Sequence, residues 1–329
     1  FRSAGQRCSA LRILYAQEEI APALLTKVCE AAAALKIGDA SEIGTDIGPV
    51  IDLEGKRRID RHVALAKAGG RLIWQGEVPK IGCFCPPSII KVDGITDLET
   101  ETFGPVLHVA TYEAGSEKAV VEEINSCGFG LTFGIHSRID TNIEIVSTEI
   151  NVGNIYINRN QVGAVVGSQP FGGRGLSGTG PKAGGPAYMR SFLSDFSGKR
   201  SGEKVLKSLN LFPGPSGERN AYSVVPRGRV LIIHPDTRIR KKLARVVRSS
   251  GNLVQECDVI PERFDGVDAV MTNTEGNMNL RNLRMSLQRV RKGIIPLITD
   301  KGGNVWLHHE KHICQDMTAT GGNLDLLMK

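Results

Sequence analysis

The sequence predicts an α/β protein in two parts, and three observations carry that prediction. β-Branched runs alternate with helical periods from Leu24 to Asn158, the alternation restarts at Val230, and a stretch rich in proline and glycine lies between. The chain has 329 residues, 41% hydrophobic and 23% charged, which suits two buried cores and excludes global disorder. No apolar run approaches the ~20 residues needed to span a bilayer.

In the first part, Leu24 to Leu35 has high helix propensity, and Lys56 to Ala68 places Ile59, His62, Val63 and Leu65 on one face. Arg71–Trp74, Ser88–Val92 and Val106–Ala110 read as strands, Ser116 to Ser126 as a helix, and Leu131–His136 as a strand. A helix from Thr141 to Glu149 and a strand from Gly153 to Asn158 complete the pattern. Residues 197–228 hold Pro213, Gly214, Pro215, Gly217 and Gly228 and read as a linker. Beyond it, strands at Val230–Ile233, Leu253–Cys257, Asp268–Thr272 and Ile294–Thr299 alternate with helices at Thr237–Ser249 and Asn279–Arg291. The organisation expected is a domain over 1–196, the linker over 197–228, and a smaller Rossmann-like α/β domain with a C-terminal tail over 229–329.

Charge and cysteine usage narrow the function classes. Residues 200–329 carry 21 Lys+Arg against 13 Asp+Glu, whereas the chain as a whole has a net charge of +6. The densest basic run, Arg238 to Arg248, has Ile239, Leu243, Val246 and Val247 at helical spacing, so a solvated helix face accounts for it better than nucleic-acid binding. Seven scattered cysteines form no disulfide framework, which favours a reducing, cytoplasmic compartment. Cys83 and Cys85 are expected to alternate across a strand rather than to bind zinc, there being no second Cys/His pair nearby. His308, His309 and His312 have a spacing that a metal could use, but packing of a surface or tail segment is the plainer reading, and no metal site is expected.

Three segments carry chemistry. Cys8 follows Ala4-Gly5-Gln6-Arg7. A lone cysteine is more often an inert packed residue, yet small residues ahead of it let backbone approach closely and Arg7 brings positive charge. A helix starting after Cys8 would offer a backbone N–H to an oxyanion. Glu99-Thr100-Glu101-Thr102-Phe103-Gly104-Pro105-Val106 sets a carboxylate two residues before an aromatic ring; an exposed loop or a ribose clamp both fit. Ten glycines fall between Gly153 and Gly185, a density that exposes backbone N–H groups able to bind an anion. The dinucleotide fingerprint is not matched there, because no helix opens after these glycines.

Together, GQRCSA around Cys8, TDIGPVID at Thr45 to Asp52, ETFGPVL, and GNIYINR before the Pro-Phe-Gly-Gly loop resemble the C-terminal part of an aldehyde dehydrogenase. NRNQVGAVVGSQPFGGRGLSGTGPKAGGP narrows the resemblance to the 1-pyrroline-5-carboxylate (L-glutamate-γ-semialdehyde) dehydrogenase module of bacterial bifunctional proline-utilization enzymes. FPGPSGERNAY and the tail Thr318 to Asn323 are similar to the C-terminal region of the same enzymes. The resemblance implies an aldehyde dehydrogenase catalytic domain, NAD as cofactor and glutamate semialdehyde as substrate. It implies Cys8 as nucleophile and oxyanion donor, Glu101 on the nicotinamide ribose and Phe103 beside the nicotinamide. Gly163 and Ala164 would bind the substrate's α-carboxylate, with Ser9 adding a hydroxyl and Phe171 packing on the aliphatic stem.

In that family the NAD domain, the general-base glutamate and the oxyanion-hole asparagine precede the nucleophile, as does the FAD-dependent proline dehydrogenase domain of the bifunctional enzymes. Only seven residues precede Cys8 here. The expectation is a chain truncated at its N-terminus, inactive alone, whose partners are those N-terminal domains. The parent would be cytoplasmic or peripheral at the inner membrane, and a homo-oligomer is compatible with it. Residues 229–329 resemble the non-catalytic domain that packs over the active-site assembly. They also resemble a phosphoacceptor receiver, but Asp268 to Asn273 offers Met, Thr and Asn where the acceptor aspartate belongs. The alternative function is therefore a non-catalytic assembly module.

Overall fold

The computed structural model describes residues 1–192, 210–274, 279–290, 293–299 and 304–318. The chain divides into two units, Phe1–Cys127 with Glu144–Ile150 and Gly128–Ile143 with Asn151–Lys329.

In the first unit, β1 (Ile13–Gln17) is followed by α1 (Ala21–Ala33), α2 (Leu53–Ala68), β2 (Leu72–Gln75), β3 (Ser88–Lys91), β4 (Val106–Tyr112) and α3 (Glu117–Ser126). Pro22 opens α1, where its missing N–H costs nothing. Asp52 caps α2, its Oδ1 accepting from Gly55 N at 2.7 Å. The sheet order is β1-β4-β3-β2, with β1, β4 and β3 mutually parallel and β2 antiparallel. Ile59, Val63 and Ala66 of α2 pack with Ile90, Val106 and Ala110 on one face. Ile89, Leu107 and Val109 meet Leu25 and Val28 of α1 on the other. The expected parallel-rich sheet flanked by helices is present.

The second unit holds β5 (Phe129–Gly130), β6 (Thr132–Ile135), β7 (Asn154–Ile157), β8 (Arg174–Gly175), β9 (Asn210–Phe212) and β10 (Glu218–Pro226). Helix α4 (Asp140–Glu149) has its residues divided between the units. There follow β11 (Arg229–Ile233), α5 (Thr237–Ser249), β12 (Leu253–Cys257), β13 (Ala269–Thr272), α6 (Leu280–Gln288), β14 (Leu297–Thr299) and β15 (His308–Asp316). The parallel sheet β12-β11-β13-β14 buries Val230 and Ile232 against Leu243, Ala244 and Val247 of α5. Its other face buries Leu231, Ile233 and Val270 against Leu283 of α6. A five-stranded sheet, β6-β7-β15-β10-β9, runs beside it in the chain.

Several expectations need correction. Residues 210–212 and 218–226, read as linker, are strands, because Ala221 and Tyr222 are buried and β10 pairs along its length with β15. Residues 197–209 lie outside the described residues, as do Arg291 and the tail from residue 319. The histidines are neither surface nor tail: β15 is a strand between β7 and β10, burying His308 and His312. Cys83 lies in a bend and Cys85 in the irregular chain after it, not in a strand; Val50 N donates to Cys83 O at 2.8 Å, and burial pushes the Cys85 thiol up to about 11. Among the described residues no helix is long and apolar enough to cross a membrane, and no group of three His, Cys, Asp or Glu could hold a metal.

Candidate active site

The parallel pairing of β1 with β4 brings the first two chemical segments together. Ile13 lies opposite His108, so the loops entering these strands, residues 7–12 and 101–105, leave the same end of the sheet. At their closest approach Gly5 lies against Gly104: a Cβ on Gly5 would stand 1.9 Å from Gly104 O, and Gly5 has φ +67°. Only glycine satisfies both conditions. The small residues before Cys8 thus serve an approach of backbone to backbone.

Arg12, which the sequence did not single out, joins the two loops. Its Nη1 donates to Gly5 O at 2.8 Å and to Thr102 O at 3.3 Å, and Nη2 donates to Arg7 O at 2.8 Å. Its guanidinium lies 4.1 Å from the Phe103 ring centroid and its Nε 3.5 Å from Glu101 Oε1. Burial lowers the Arg12 pKa, while Glu101 and then Cys8 act the other way. The carbonyl bonds are charge-assisted and dominate the clamp; the half-open contact with Glu101 adds about 0–1 kcal/mol. Its clue in the sequence was a lone arginine between two apolar runs, four residues past the thiol.

Cys8 is exposed in a turn closed by Ala10 N donating to Arg7 O at 3.1 Å, and the chain then enters β1. The expected helix after Cys8 is absent, since Ile13–Gln17 is drawn into the sheet by β4. Ser9 beside it is buried, at 2% exposure. The Glu101 side chain is 34% exposed and Phe103 41% exposed, on one loop. An exposed carboxylate can accept from hydroxyl donors, and an exposed aromatic ring can pack on a planar group.

The third segment belongs to the second unit. Tyr156 Oη donates to Gly163 O at 3.0 Å, Gly163 has φ +85°, and Ala164 is exposed. Gln169 closes this loop, its Oε1 accepting from Val165 N at 3.1 Å. Phe171 is half-buried and pairs with Ala183 through two backbone bonds. Behind the loop Lys182 Nζ donates to Asn154 Oδ1 and Gly172 O, both at 2.7 Å, and burial lowers its pKa to about 7. Glu310 accepts from Lys182 N at 2.6 Å and from Tyr222 Oη at 2.7 Å, so it is engaged structurally.

Residues 1–195 match the aldehyde dehydrogenase family. The chain is 40% identical to the bifunctional protein PutA of Escherichia coli (strain K12), across 99% of this chain and 31% of that protein. The crystal structure of 1-pyrroline-5-carboxylate dehydrogenase from Thermus with bound NAD is 34% identical, with a TM-score of 0.54 over 58% of this chain and 37% of that one. Proline utilization A from Corynebacterium freiburgense, at 22% identity, shares the fold over 96% of this chain and 36% of its own, with a TM-score of 0.76. The chain spans less than a third of the length of that Escherichia coli relative.

Proposed function

The chain belongs to the aldehyde dehydrogenase family, and from that premise we propose that it carries the catalytic thiol of an NAD-dependent L-glutamate-γ-semialdehyde (1-pyrroline-5-carboxylate) dehydrogenase of proline catabolism. The observation that supports this most is the exposed Cys8 on a loop that Arg12 clamps to Glu101 and Phe103. The sequence relatives and the NAD-bound Thermus structure support the cofactor and substrate class.

On this reading the Cys8 thiolate adds to the aldehyde carbon, and the Cys8 backbone N–H donates to the resulting alkoxide. The chemistry that bound NAD would supply here is hydride acceptance. Loss of hydride leaves a thioester on Cys8, and water cleaves it to the carboxylate and the free thiol. Glu101 would hold the ribose hydroxyls of the cofactor and Phe103 would line its nicotinamide. Gly163 and Ala164 donate their N–H groups to the α-carboxylate, Ser9 adds its hydroxyl and Phe171 packs on the aliphatic stem. We read residues 1–196 as the catalytic portion and 229–329 as non-catalytic, within a cytoplasmic protein whose thiols stay reduced. At the place of a receiver's phosphoacceptor, Thr272 Oγ1 donates to Ile233 O at 2.6 Å, which supports a structural role there.

The test is alkylation of the intact chain by iodoacetamide, followed by peptide mapping of all seven cysteines. Cys8 should react ahead of the other six, and glutamate semialdehyde should slow labelling at Cys8 alone. Labelling of Cys8 no faster than Cys29 or Cys127, with no protection by the aldehyde, would overturn the reading.

A further inference from the structure

We propose that His108 is a positioning residue for the Cys8 site, acting through the Arg12 main chain, and that His62 fixes the orientation of its ring. The proposal rests on the reading of Cys8 as nucleophile.

His108 occupies the third position of β4 at 2% exposure, among Val106, Leu107, Val109 and Ala110. A β-branched aliphatic residue is the ordinary occupant of such a site, and a buried imidazole is costly unless its nitrogens are bonded. Both are. His108 Nδ1 lies 2.8 Å from Arg12 O, and His108 Nε2 lies 2.8 Å from His62 Nε2. The rings meet edge to face, with centroids 5.0 Å apart at 76°.

These contacts order the protons. A carbonyl oxygen only accepts, so His108 Nδ1 carries the hydrogen and donates to Arg12 O. The neutral ring then presents Nε2 as an acceptor, and His62 Nε2 must donate. Burial, reinforced by His62 and the Arg12 and Arg71 cations, outweighs the bond to Arg12 O and lowers the His108 pKa to about 4, which keeps this neutral form at neutral pH.

Arg12 O also accepts from His108 N at 3.2 Å, so one residue of β4 holds that carbonyl twice. This is the point where the chain passes from the Cys8 turn into β1. Fixing it sets the direction in which the Arg12 side chain leaves, and hence the guanidinium's reach to Gly5 O, Arg7 O and Thr102 O. Helix α2 supports the same arrangement twice more. Its Ile59 stands where a Cβ on Gly104 would be, at 2.6 Å, and Ile51 N just ahead of its cap donates to Gln6 Oε1 at 3.0 Å. The helix carrying His62 therefore touches both loops.

The test compares His108→Leu, His108→Asn and His62→Leu in the full chain, by hydrogen exchange and by the rate of Cys8 alkylation. Asn can still donate to Arg12 O from its side-chain amide; Leu cannot. His108→Leu should raise exchange roughly fivefold to tenfold in segments 5–12 and 101–106, with α3 unchanged. It should also slow Cys8 alkylation about threefold through loss of the nearby guanidinium. His108→Asn should recover both, and His62→Leu should give a smaller change in the same segments. Wild-type exchange in both segments of His108→Leu would overturn the proposal, as would equal behaviour of Asn and Leu. Should His108→Leu fail to fold, wild-type exchange in His62→Leu overturns it in turn. Should wild-type Cys8 prove unselective, the nucleophile reading falls, while hydrogen exchange still decides the positioning role.

Discussion

Arg12 and Arg240 are buried to a similar degree, with side chains 14% and 16% exposed, and both donate to main-chain carbonyls beside a pair of parallel strands. Arg240 Nη1 reaches His234 O at 2.6 Å and Pro235 O at 3.0 Å, and its Nη2 reaches Thr237 Oγ1 at 2.9 Å, all within six residues of itself. Arg12 reaches Gly5 and Arg7 on one loop and Thr102, 90 residues away, on another. The local set fastens the turn between β11 and α5. The distant set joins two loops that carry an exposed thiol, carboxylate and aromatic ring. Burial and hydrogen-bond chemistry are alike, so the difference comes from topology: β1 and β4 are parallel neighbours, and the loops entering them must meet. Function here follows from what a scaffold brings together, and two α/β sheets of one chain can differ entirely in that respect.

The comparison breaks most completely if the loops are forced apart. Gly5→Val puts a branched side chain into the Gly104 carbonyl at a positive φ, and should cost roughly 4 kcal/mol. Thermal denaturation would show it as a lowered midpoint, and Cys8 should lose any preference in alkylation. Full retention of stability would mean that the loops do not touch as described. Arg12→Ala comes next, removing three charge-assisted bonds, with about 3 kcal/mol lost and Cys8 labelling slowed. Arg12→Lys should recover little, because an ammonium cannot reach both loops at once.

How much of this was legible depended on the physical signal each residue carries. Helix α5 spans Thr237–Ser249 as expected, because Asp236 accepts from Arg238 N at 2.7 Å to cap it and Leu243, Ala244 and Val247 form its buried face. Cys8, Glu101 and Phe103 stood out through their motifs. Arg12 did not, since a lone arginine between apolar runs does not reveal that one of its partners, Thr102 O, lies 90 residues off. Strand β15, His-His-Glu-Lys-His-Ile-Cys-Gln-Asp, has no apolar alternation; it is a strand because β7 and β10 pair with it on both sides. Its polar side chains find partners such as Lys182 and Tyr222 for Glu310, far away in sequence. Propensity and period see neither kind of contact.

Acid should affect both units together and so sharpen the contrast between stability and site. Burial lowers His108 in the first unit and His312 in the second, each to about 4. The unfolded chain takes up protons at these positions from about pH 6.5 downward while the folded chain does not, so stability should fall as pH drops from 6.5 toward 4. A loss of about 2 kcal/mol for each of these two histidines is expected between pH 7 and pH 4.5. His108→Asn should flatten the decline in part, because it removes one of the buried histidines that take up a proton more readily when unfolded. An unchanged slope in that variant would show that His108 titrates normally, and that its bonds to Arg12 and His62 are not made in solution.

The smallest effect is expected from the other arginine. Arg240→Ala removes bonds to two carbonyls and one hydroxyl, but Pro235 is exposed, so water can replace the donor lost at its carbonyl. Helix α5 keeps its Asp236 cap and its buried face in the variant, so the loss should be about 1 kcal/mol. Glu256 also loses a cation at 4.0 Å, but Arg248 remains 3.6 Å from its other oxygen. Cys8 alkylation should be unchanged within error. Measured beside Arg12→Ala, this variant separates the two roles: equal effects of both substitutions on Cys8 would mean that the chemistry depends on overall stability alone. An effect confined to Arg12→Ala would mean that the reach across loops, and not the burial of an arginine, is what makes the site.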